Sequence, residues 1–138
     1  MAVELPNVDR DGAPQHMLSA ISNEMVRIYK SQFGRGPTKT RTNWAGPDII
    51  VVTLEQTFTP AERSLQRMGE HQRLRDLRLL FQYASVATFC EPVERLIGRK
   101  VRAFISGIDT QADIATEMYI LYPRGYAGPS RAEAPVEG

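Results

Sequence analysis

Leu18, Ile21, Met25, Ile28 and Tyr29 fall three or four residues apart, the spacing of one buried helical face. Pro14 suits the first turn of that helix, where its missing N–H goes unused, and Gly34 supplies a left-handed stop. The pattern then changes period. From Thr38 to Trp44 branched and polar residues alternate, and after the turn signal Ala45-Gly46-Pro47-Asp48 the run Ile49 to Leu54 is apolar at almost every position. The two stretches predict a β-hairpin. The near-continuous apolar run predicts a central strand covered on both faces, by helix or by a second subunit.

A second helical region opens at Thr59-Pro60-Ala61-Glu62, where a threonine cap, a first-turn proline and a capping-box glutamate coincide. It runs to about Ile97, with Gly69 dividing a short helix from a long one. Leu74, Leu77, Phe81, Ala84 and Thr88 predict the buried stripe of the long helix, leaving Arg67, Arg73, Arg75 and Arg78 to solvent. Pro92 predicts a kink or restart near Glu91. Beyond Gly98, Lys100 to Ile108 alternates, with Val101, Ala103 and Ile105 opposite Arg102, Phe104 and Ser106; Ile114 to Leu121 alternates again after a loop.

The expectation is an α+β fold: a two-layer sandwich with a mainly antiparallel four-stranded sheet, in the order α-β-β-α-α-β-β. It would occupy residues 14–122 as a single domain, between a flexible tail at 1–13 and a disordered tail at 123–138. Helices on one face of such a sheet leave the other face open, which predicts a homodimer.

At 138 residues, 42% hydrophobic and 24% charged, the chain has the composition of an ordinary globular domain large enough to bury a core unaided. Cys90 is the only cysteine, so no internal disulfide can form, and the N-terminal residues lack a secretory pattern; a cytoplasmic location is expected. The longest notable apolar run, Ile49 to Val52, is far below the ~20 residues of a membrane-spanning helix.

Net charge is only +1, yet Arg27, Lys30, Arg35, Lys39 and Arg41 stand against one acid, Glu24, over residues 24–44. The candidate site is therefore local: Lys30, Arg35, Gly36, Lys39 and Arg41, around a Gly-Arg-Gly-Pro turn whose glycines allow close backbone approach to an anion or an acidic partner. An alternative is a nucleic-acid- or anion-binding module using the same patch, although scattered aromatics make a poor base-stacking platform. No catalytic residues, metal ligands or cofactors are expected. His16 and His71 lack partners at ligand spacing, Cys90 reads as a buried structural thiol, and Asp109 and Asp113 read as turn residues.

Residues 21–42, Ile-Ser-Asn-Glu-Met-Val-Arg-Ile-Tyr-Lys-Ser-Gln-Phe-Gly-Arg-Gly-Pro-Thr-Lys-Thr-Arg-Thr, resemble the signature of the MpsC-like family, bacterial domains named for a sodium-translocating, membrane-potential-generating system. The likeness continues through Leu54-Glu55, Thr59 to Arg63, Leu65, Gly98 to Val101 and Asp113 to Ala115, and spans roughly residues 16 to 122. Phe58 and Phe89-Cys90-Glu91-Pro92 depart from the usual pattern. The resemblance implies an accessory or regulatory partner of a membrane ion or solute transport complex, peripheral to the inner face of the membrane, with no catalytic residue to carry over.

Overall fold

A computed structural model describes residues 15–133. The elements are α1 (Gln15–Phe33), β1 (Lys39–Trp44), β2 (Ile49–Glu55), α2 (Pro60–Arg67), α3 (His71–Ala84), α4 (Val86–Ile97), β3 (Val101–Asp109) and β4 (Ile114–Leu121). The expected tail at 1–13 and the Pro14 start lie outside the described residues.

All four strands pair antiparallel in the order β1-β2-β4-β3. Hairpins β1–β2 and β3–β4 meet along β2 and β4, and α2, α3 and α4 connect them. The predicted two-layer α+β sandwich is therefore present, with three helices in the middle rather than two. Leu18, Ile21, Met25, Ile28 and Tyr29 of α1 are buried as their spacing requires. They meet Ile50, Val52, Leu54, Ala115, Tyr119 and Leu121 from the sheet, with Val86, Phe89, Cys90, Val93 and Ile97 of α4 completing the core.

Local signals explain the boundaries. Gly34, at φ +80°, closes α1 with its N–H on the Lys30 carbonyl. The Thr59 hydroxyl accepts the Glu62 N–H while the Glu62 carboxylate accepts the Thr59 N–H, a complete capping box. Gly69, at φ +75°, separates α2 from α3, and Gly98, at φ +77°, ends α4.

Three expectations need correction. The long helix breaks at Ser85, not at Pro92: α4 runs through Pro92, and the break lets Tyr83 reach Ser106 on β3 while Val86 and Phe89 enter the core. The buried stripe of α3 is Leu74, Arg78 and Gln82, whereas Leu77, Phe81, Ala84 and Thr88 are exposed. A bulge between Val101 and Ala103 shifts the alternation of β3, so Val101, Phe104 and Ser106 face inward and Ala103 and Ile105 outward. As expected, β2 is central; helices cover one of its faces, and Ile49, Val51 and Thr53 on the other are partly exposed in the single chain.

From Pro123 to Glu133 the chain lies against the domain. Lys100 Nζ donates to the Gly128 carbonyl and Ser130 Oγ to Glu94, and Ala132 packs on the core.

Candidate functional site

Lys30 is exposed on the last turn of α1. Arg35 follows the Gly34 stop and is half-buried, its Nη1 donating to the Phe58 carbonyl at 2.9 Å, so it fastens the turn to the start of α2. At Gly36 an added Cβ would sit 3.2 Å from Val26 Cγ1; glycine serves close packing of the turn on α1.

Lys39 and Arg41 lie elsewhere. Thr42 of β1 is buried and its Oγ1 stands 2.7 Å from Ser22 Oγ of α1, so alternation gives Lys39, Arg41 and Asn43 the opposite, outward positions. The five predicted residues thus form two groups: Lys30, Arg35 and Gly36 in the helix layer, Lys39 and Arg41 at the open edge of the sheet. Arg41 also borders a groove of about 280 Å³ between α1 and β1, lined by Ser19, Ser22, Thr40 and Thr42. Thr40 Oγ1 is buried there without a hydrogen-bond partner.

The helix-layer group adjoins an apolar surface that periodicity assigned to the core. The Phe33 ring, immediately before Gly34-Arg35, meets the ring of Phe81 edge-on at 6.4 Å. Phe81 is 50% exposed and Leu80 66% exposed, with Leu77 and Ala84 on the same face of α3. Cationic turn and exposed apolar helix face are neighbours.

Beneath them lies a polar network that the sequence reading missed. Arg78 is fully buried, donates from Nε and Nη2 to the two oxygens of Glu62 and from Nη2 to the Thr57 carbonyl, and lies 4.0 Å from the Phe33 ring centre. Burial by itself would raise the Glu62 carboxyl, but Arg78 and the Thr59 N–H hold it below its ordinary value. One turn on, Gln82 Nε2 donates to Tyr29 Oη and to Glu117 Oε2, both at 2.7 Å, and Tyr29 Oη donates to the same oxygen at 2.5 Å. Burial pushes the Glu117 carboxyl up to about 7, against the lowering effects of Tyr29, Ser106, Arg78 and Gln82.

Spacing alone could not single it out: Leu74, Arg78 and Gln82 share one face of α3 at four-residue intervals, but Leu77, Phe81 and Ala84 share another that is more apolar.

Asp109 Oδ1 accepts the N–H groups of Gln111 and Ala112; buried Asp113 accepts those of Thr57 and Phe58. His71 Nδ1 stands 2.7 Å from Thr110 Oγ1, His16 is exposed, and burial raises the Cys90 thiol to about 12. Among the described residues no cluster of three His, Cys, Asp or Glu could hold a metal ion, and no helix is long and apolar enough to cross a membrane.

Sandwich and turn together define a two-layer α+β domain that presents a cationic glycine turn beside an exposed apolar helix. The chain belongs to the MpsC family: the family model described as "Na+-translocating membrane potential-generating system (MpsC)" matches residues 14–122. No curated protein and no solved structure matches the chain.

Proposed function

We propose that this protein is a noncatalytic, homodimeric accessory or regulatory domain of a membrane transport system, working in the cytoplasm at the inner face of the membrane. It docks an acidic partner protein of that system through Lys30, Arg35 and the Gly34–Pro37 turn. One observation carries the reading: Phe33 joins the cationic turn to the exposed α3 side chains Phe81, Leu80 and Leu77, giving charge for steering and apolar area for affinity on one surface. Family membership supports the setting. The noncatalytic part is supported by the Cys90 thiol, whose burial and raised pKa make it a poor nucleophile.

In-cell crosslinking followed by mass spectrometry tests the docking, comparing the wild type with Lys30→Glu/Arg35→Gln and with Leu80→Glu, each checked for an unchanged fold by circular dichroism. Capture of an integral membrane transport protein by the wild type, reduced at least tenfold in both variants, is the expected result. Equal capture by all three would remove the turn and α3 from the interface.

A second reading, anion or nucleic-acid binding, is favoured by the unpartnered Thr40 hydroxyl in the groove bordered by Arg41. Titration with inorganic phosphate and with a DNA duplex, followed by amide shifts of Ser22, Thr40 and Thr42, separates the two; saturable shifts abolished by Arg41→Ala would support it.

A further inference from the structure

The open face of the sheet breaks the usual rule for an antiparallel sheet exposed on one side, which alternates apolar inward and polar outward. Its outward positions can be read row by row from the strand register. One end holds Lys39, Glu55, Ile114 and Asp109 across β1, β2, β4 and β3, followed by Arg41, Thr53, Thr116 and Gly107. The next row is Asn43, Val51, Met118 and Ile105, and the last is Ile49, Ile120 and Ala103 on three strands. Apolar side chains thus gather in one block toward one end, with Ile105 47% exposed. Cations sit on the β1 edge, and the exposed carboxylate Asp109 on the β3 edge.

We infer that this face is the interface between two copies of the chain, packed sheet on sheet about a two-fold axis parallel to the strands. The proposal rests on the dimeric reading above and assigns its surface. Such an axis preserves the rows and exchanges the edges. Val51 then lies over the partner's Met118 and Ile49 over the partner's Ile120, while Lys39 and Arg41 lie over the edge that carries the partner's Asp109, twice by symmetry. Gly107 favours the fit, because the space where its side chain would stand is open and lets the arginine extend toward Asp109. An in-plane axis across the strands would instead reverse the rows, setting the charged rows on the apolar block and keeping the β1 cations over the partner's β1, away from the edge that carries Asp109. Aligned packing of this kind, at about 30° between strand directions, is a standard way for two sheets to build a core.

Sedimentation equilibrium on the whole chain tests the assignment. The wild type should sediment as a dimer of a 15.5 kDa chain. Met118→Glu should weaken association at least 100-fold while retaining the far-ultraviolet spectrum and thermal melt of a folded protein. Arg41→Glu and Asp109→Lys should each weaken it about tenfold, and the double exchange Arg41→Glu/Asp109→Lys should restore it. A wild type that is monomeric at high concentration would overturn the dimeric reading itself. A dimer that survives Met118→Glu but is lost with Leu80→Glu would keep that reading and move the interface to α3. Single charge variants without effect, or a double exchange that fails to restore association, would overturn the proposed axis.

Discussion

Arg78 and Glu62 form a buried bidentate ion pair, Nε to Oε2 at 2.6 Å and Nη2 to Oε1 at 2.9 Å, with the arginine side chain wholly removed from solvent. The pair ties the first turn of α2 to the middle of α3, while Nη2 also holds the Thr57 carbonyl within the β2–α2 connection. Removing one member strands the other charge in a poorly solvating site. Arg78→Ala should therefore cost about 3–5 kcal/mol in urea unfolding. Replacing both residues together, as Glu62→Leu/Arg78→Met, should recover part of that loss, because a packed apolar pair avoids the desolvation cost, while the Thr59 N–H and the Thr57 carbonyl still lose their partners.

Glu117 gives stability a pH dependence of opposite sign to the usual carboxylate. Its carboxyl is raised from 4.5 to about 7 in the folded chain. The folded state therefore binds the proton more tightly, and this contribution is fully present below about 4.5 and is lost as pH rises through about 7. Glu117→Gln keeps the shape and an acceptor for Tyr29 while removing the titration. Thermal melts from pH 5 to 8 should show the variant gaining on the wild type as pH rises, by an amount on the order of a few kcal/mol at most. Parallel curves would mean that Glu117 does not titrate in this range.

Asp113 holds two unusual positions at once. Its φ of +56° lies in the left-handed region, and its carboxylate accepts the N–H groups of Thr57 and Phe58, joining the start of β4 to the entrance of α2. Asp113→Ala leaves both N–H groups without that partner and keeps the backbone strain, so a loss of about 2–4 kcal/mol is expected. Asp113→Asn tolerates the same backbone and retains one acceptor oxygen, so it should lose roughly half as much or less in the same unfolding measurement.

Much of this arrangement was legible because local chemistry and tertiary packing agree. The α1 stripe, the Thr59 capping box, the Gly34, Gly69 and Gly98 stops and the β1–β2 hairpin each follow from residues close in sequence. The reading failed where a distant residue decides. Arg78 is inside because Glu62 and Phe33 are there to receive it, and Gln82 because Tyr29 and Glu117 are; neither partnership has a local signature. With those positions filled by polar side chains, the helix turned its most apolar stripe outward. The candidate site divided for a related reason. Arg35 and Lys39 are neighbours in sequence, but the turn between them crosses from the helix layer to the sheet edge, and strand alternation then carries Lys39 and Arg41 away from α1.

That reversal on α3 separates two kinds of leucine by measurement. Leu74 is fully buried, whereas Leu80, outside the predicted stripe, is 66% exposed on the same face as Leu77 and Phe81. Truncating Leu74 removes packing contacts and leaves a cavity, so Leu74→Ala should cost about 2–5 kcal/mol. Leu80→Lys gives up little packing and keeps a good helix former, so its effect should stay within about 0.5 kcal/mol. Urea unfolding of the two variants checks the orientation of the whole helix. Comparable large losses would place Leu80 inside and put Arg78 back at the surface; a large loss at Leu74 alone fixes the polar face of α3 inward and leaves its apolar face available to a partner.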